Sequence, residues 1–148
     1  MSKPQKSIPA VILKSIDDIP PEFSMPVPIP LRVGGTATIT LQCRALAKTE
    51  WAAIRDRYTA DLQARAEARI NPEPSDTGAP APTISMASAV RDGLENNAAL
   101  VLEFATGWDL ADPLDAQSVK RLEDKSGGAL QAIVSHYEAA IYQSRLGN

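Results

Sequence analysis

The side chains that could do chemistry are few, and their spacing does not bring them together. His136 is the single histidine of the chain. It follows Ser135, but neighbouring residues on a helix point about 100° apart, so adjacency makes no nucleophile–base pair and a surface histidine is expected. Asp109, Asp112 and Asp115 offer oxygen ligands, yet their spacing is not that of a calcium loop and Pro113 interrupts it. Turn and capping roles account for all three. Gly34-Gly35 lacks the following Lys-Ser/Thr of a phosphate loop and precedes strand-like sequence. Gly127-Gly128 mimics a helix-turn-helix, but the next helix opens Ala129-Leu130-Gln131-Ala132, with Arg145 too far along to read a groove. Cys43 is the only cysteine, which excludes an internal disulfide and a thiolate metal cluster and speaks for a reducing, cytosolic compartment. Its expected role is that of a small buried apolar residue on a strand. No acid, base and oxyanion donor assemble, so no catalytic, cofactor-binding or metal residues are assigned and no enzyme is expected. Trp108, directly after Gly107, stands apart. It either packs over a helix end and donates its indole N–H to a carbonyl, or faces a partner as an anchor.

The elements that would position these residues are divided by proline. Of the 12 prolines in 148 residues, seven lie in residues 1–30, four in 72–82, and one is Pro113. Proline removes a backbone donor and clashes with the preceding turn, so neither cluster is regular helix. Alanine supplies 23 of the hydrophobic residues, leaving a light core that self-association or a partner would help to complete. No apolar run approaches the roughly 18 residues of a membrane span, and Ala10–Leu13 is too short for a secretory h-region. The net charge is −3, unevenly spread: residues 72–118 hold eight acids against Arg91 alone. An acidic middle disfavours duplex nucleic acid as a partner.

From Val27 the apolar residues alternate through Val33 and again from Ala37 to Ala45, the period of half-buried strands. A loop at Gly34–Thr36 would pair Val33 with Ala37 and Leu31 with Ile39, with a glycine in the left-handed region. Pro28 and Pro30 cannot donate to a ladder, so Val27–Val33 is expected to be an edge strand or to turn its proline side to solvent. A third strand could come from Ala10–Lys14. Thr49 can cap a helix to Ile70 whose stripe is Trp51, Ile54, Tyr58, Leu62, Ala66 and Ile70, opposite a solvated face with Arg55, Arg57, Arg65 and Arg69. A Pro/Ala/acid linker follows, read as a semi-extended loop over 71–83. Met86, Val90, Leu94, Ala98, Val101 and Ala105 then keep helical spacing toward a central buried helix ended by Gly107. Asp115 caps a short helix to Lys125, and Leu130, Ile133, Val134, Tyr137 and Ile141 mark the last one, ending near 146–148. The fold class expected is α+β: an N-terminal antiparallel hairpin, with an optional third strand, packed with about four helices. Residues 1–25 form an extended segment and 26–148 one domain.

Together these segments resemble the tail assembly chaperones of long-tailed bacteriophages and prophages. The resemblance rests on the strand pair with Gly35-Thr36 at its turn, the helix opening Thr49-Glu50-Trp51, and the apolar stretch into Gly107-Trp108-Asp109-Leu110. Pro113-Leu114 and the alanine-rich terminal helix ending Arg145-Leu146-Gly147-Asn148 complete it. It implies a non-enzymatic assembly factor without cofactor, working in the bacterial host cytoplasm and absent from the mature virion. Its implied partners are the tape measure protein and the tail tube protein, with no nucleic acid and no membrane, and self-association is open to it. The alternative is a structural virion component of the neck or tail. The side chains proposed to meet a partner are Trp51, Ile54, Tyr58, Leu62, Trp108, Tyr137 and Ile141; both helical stripes are equally readable as core.

Overall fold

In a computed structural model, which describes residues 12–70 and 85–145, a three-stranded antiparallel sheet lies against four helices. The strands are β1 (Glu22–Pro30), β2 (Thr36–Arg44) and β3 (Ala105–Trp108), in the order β1-β2-β3. The helices are α1 (Lys48–Ile70), α2 (Met86–Phe104), α3 (Ala116–Lys125) and α4 (Ala129–Gln143). This is the α+β class expected. One face of the sheet presents Met25, Val27, Ile29, Ile39, Leu41 and Cys43, all buried, to the helices. The other presents threonine, proline and polar side chains to solvent, as the alternation requires.

The hairpin keeps its parity but not its register. Ala37 pairs with Ile29 and Ile39 with Val27, four residues earlier than the three-residue loop would place them. The loop instead spans residues 31–35. Gly34 and Gly35 both take positive φ, 98° and 75°, and the Leu31 N–H donates to Gly35 O at 3.1 Å. Val33 is thereby left 93% exposed, whereas Phe23 and Met25 are drawn into the sheet. β1 therefore begins at Glu22, inside the segment expected to be extended. It is an edge strand, and Pro26, Pro28 and Pro30 remove N–H donors from most of its outer edge, which disfavours pairing with another strand.

The third strand is not Ala10–Lys14, of which Ile12–Lys14 is irregular and exposed and the rest lies outside the described residues. It is Ala105–Trp108, where the end of the central helix was expected. α2 ends at Phe104 with Ala105 already extended (φ −82°, ψ 126°), so Gly107 is no helix cap but a strand residue opposite Gln42. A bulge leaves Thr106 unpaired, and its hydroxyl donates to Gln42 O at 3.2 Å. Asp109 closes the strand end, its N–H donating to Thr40 O (3.1 Å) and its carboxylate accepting from Thr40 N (3.0 Å).

Helix ends follow local chemistry with small shifts. Lys48 begins α1, so Thr49 sits inside the helix. Ser85 caps α2 and Asp115 caps α3, each accepting from the backbone N–H three residues on. Gly128 (φ 94°) separates α3 from α4, and α4 stops at Gln143, where Ser144 turns left-handed. The linker assigned to residues 71–83 lies outside the described residues.

Four aromatic rings join the layers. Phe104 of α2 stacks on Tyr137 of α4 with centroids 3.8 Å apart, and Trp51 of α1 meets both edge-on at 5.4 and 5.0 Å. Phe23 of β1 stacks on the other side of Tyr137 at 6.1 Å. The Tyr137 hydroxyl donates to Arg44 O at 2.7 Å and accepts from Leu46 N at 3.3 Å, tying α4 to the end of β2.

Candidate partner-binding site

The apolar stripes of α1 and α2 outrun the body they pack on. Trp51 and Ile54 of α1, and Ala98, Leu100, Val101 and Phe104 of α2, are buried in the core. Beyond them the two helices continue as an antiparallel arm. Ile70 at one end of that arm is 60% exposed, and Met86 and Val90 beside it are 81% and 59% exposed. Leu62, Ala66, Ala89 and Gly93 line a groove of about 250 Å³ between the helices, the small residues keeping it open.

Ion pairs and charged hydrogen bonds run along the arm. Asp92 is buried in the groove wall and accepts a two-pronged hydrogen bond from Arg69, both contacts 2.9 Å. Arg65 reaches Glu95 at 3.2 Å, and Arg57 and the Tyr58 hydroxyl share Glu103 at 2.9 and 2.7 Å. Arg55 pairs with Glu138 of α4 at 3.0 Å. The arginine face read as merely solvated is thus an ion-paired seam, and three acids of the acidic middle are its partners. Burial, followed by the hydrogen bond and charge of Glu103, pushes the Tyr58 phenol above its usual range. Hydrogen bonds to charged groups contribute about 1.5–3 kcal/mol each. Asp92→Ala should therefore raise amide exchange about tenfold or more along residues 62–70 and 86–94 while leaving exchange in β2 unchanged. Equal acceleration in both regions would show that the pair supports the whole fold instead.

The seven side chains proposed from sequence do not converge on one surface. Trp51 and Tyr137 are fully buried and Ile54 nearly so, inside the core. Tyr58 and Leu62 belong to the α1–α2 seam. Trp108 lies in β3 and donates its indole N–H to Asp112 O at 2.7 Å, the carbonyl acceptor considered above, though in a loop and not over a helix end. Ile141 lines a separate groove near the start of β1. Ile70, Met86 and Val90 were visible as members of stripes, but nothing local marked them as the part the core leaves uncovered. His136 is half-buried on α4 with Nδ1 2.8 Å from Ala132 O, and no cluster of three or more metal-ligating side chains occurs among the described residues. Nor, among them, is any helix long and apolar enough to cross a membrane.

The arm is thus a helical hairpin with exposed apolar side chains at its end. The sequence model of the phage tail assembly chaperones matches residues 10–148, nearly the full length. The chain belongs to this family. No match was found among curated proteins or among solved structures. In this tail assembly chaperone the matched region takes in the sheet, the arm and the terminal helix together, so the family's sequence pattern runs through the whole fold.

Proposed function

We propose that the chain binds the tape measure protein and helps recruit tail tube subunits around it in the host cytoplasm, then leaves before the virion matures, without catalysing a reaction. The family match over residues 10–148 carries this reading. The arm supports it, because it leaves Ile70, Met86 and Val90 exposed, apolar side chains of the kind that meet an amphipathic helix.

Coexpression tests it. Tape measure protein made alone should aggregate, made with this chain should stay soluble and copurify, and made with the Met86→Asp/Val90→Asp variant should aggregate again. These two positions are exposed, so the variant should keep its melting temperature. Purified virions should lack the chain. Its presence there in stoichiometric amount would overturn the proposal in favour of a structural neck or tail component.

A further inference from the structure

A second groove, of about 360 Å³, opens where the chain enters the sheet. Ile19 and Phe23, Leu46 after β2, and Ile141 of α4 line it, together with Glu22 and Ser144. The residues just before it have the opposite shape. Ile16 is 83% exposed at the start of the single turn Ile16–Asp18, and Ile12 and Leu13 ahead of it are exposed as well. A capping box holds that turn: the Ser15 N–H donates to the Asp18 carboxylate at 3.1 Å, and the Ser15 hydroxyl accepts from the Asp17 N–H at 3.2 Å. Ile16 is thereby fixed as a knob that its own core does not take up, and Ile19, 55% exposed, joins the knob to the groove. Single exposed aliphatic side chains are ordinary, but four within residues 12–19, beside an apolar groove, mark an interaction surface.

We propose that a second copy of this chain occupies the groove: about a two-fold axis near Ile19, each copy seats its Ile16 in the groove of the other. An isologous contact needs a patch complementary to itself, and a knob beside a hole meets that condition. A foreign chain filling the groove would leave Ile16 bare, whereas a second copy covers both. Charge agrees with this occupant. Asp18 is engaged in the capping box, which leaves Lys14 and Asp17 flanking the knob. At the groove stand Glu22 and, directly after Ser144, Arg145. Knob and groove thus carry one acid and one base each, so two copies meet without net like-charge repulsion, Lys14 facing Glu22 and Asp17 facing Arg145 of the other copy.

Sedimentation equilibrium of the full chain over a range of concentrations tests this, and a reversible monomer–dimer equilibrium is expected. Ile16→Asp lies on an exposed turn, so it should keep the melting temperature while raising the dimer Kd at least about tenfold. Ile141→Lys, in a protein that still melts cooperatively, should weaken the dimer from the groove side. Mixing the two variants should restore dimers at concentrations where neither associates alone. In the mixed dimer one contact keeps Ile16 in an unaltered groove, and the other opposes the two introduced charges. A monomer at every concentration, a dimer indifferent to Ile16→Asp, or a mixture no more associated than its folded components would each overturn the proposal.

Discussion

Phe104→Ala is expected to cost about 3–5 kcal/mol and to lower the melting temperature by roughly 10 °C. Phe104 is fully buried and is the ring on which Tyr137 stacks and against which Trp51 sets its edge. Its removal leaves a void at the meeting point of α1, α2 and α4, and rings held from three elements cannot collapse into it without moving helices. Tyr137→Phe preserves the stack and removes only the hydroxyl that serves Arg44 O and Leu46 N, so it should cost about 1–2 kcal/mol. Trp51→Phe should also cost less than Phe104→Ala, because the Trp51 indole N–H is buried with no acceptor among the described residues. Urea unfolding of the three variants checks the order. A Phe104→Ala midpoint within error of that of Tyr137→Phe would mean that the stack is not the centre of the core.

Why this cluster could not be read in advance is instructive. Phe23, Trp51, Phe104 and Tyr137 are scattered over more than a hundred positions, and each looks locally like an ordinary apolar member of its own strand or stripe. The hairpin shows a related limit. Alternation with a period of two is unchanged by a shift of four, so it assigned the correct face to Ile39 and Leu41 while leaving Ile29 and Val33 equally eligible to oppose Ala37. The choice falls to the five-residue loop and the burial of Met25. Ala105–Trp108 carries no alternation and is a strand only because β2 lies beside it. Helices were more legible, since caps such as Asp115 and breaks such as Gly128 act within a few residues. For the candidate site, the charge asymmetry between 72–118 and the rest was visible, but its partners on α1 became known only once α2 folded back along it.

The second large effect is alkaline unfolding. Burial pushes the Cys43 thiol up from 9.0 to about 12 and is also the main cause that raises the Tyr137 phenol from 10.0 to about 12. Both groups are neutral when protonated, so the native state holds their protons more tightly than the unfolded chain does. Below about pH 9 both states are protonated and this contribution to stability is fully present. Between 9 and 12 the unfolded chain releases first the thiol proton and then the phenol proton while the folded chain keeps both, so stability falls as pH rises. Each unit of difference is worth about 1.4 kcal/mol, so the loss by pH 12 is on the order of several kcal/mol. Small domains have only about 5–15 kcal/mol in total, so cooperative unfolding should set in before pH 12. Tyr58, raised in the same direction, adds to the slope. Urea midpoints taken in steps from about pH 8 upward should decline for the wild type, whereas Cys43→Ala should stay nearly level until the phenol of the unfolded chain titrates near 10.0. Lysines and arginines act alike in both proteins and cancel in the difference. Parallel curves for the two would show that Cys43 is open to solvent in the native state, and the sheet face it shares with Met25 and Leu41 would then not be sealed.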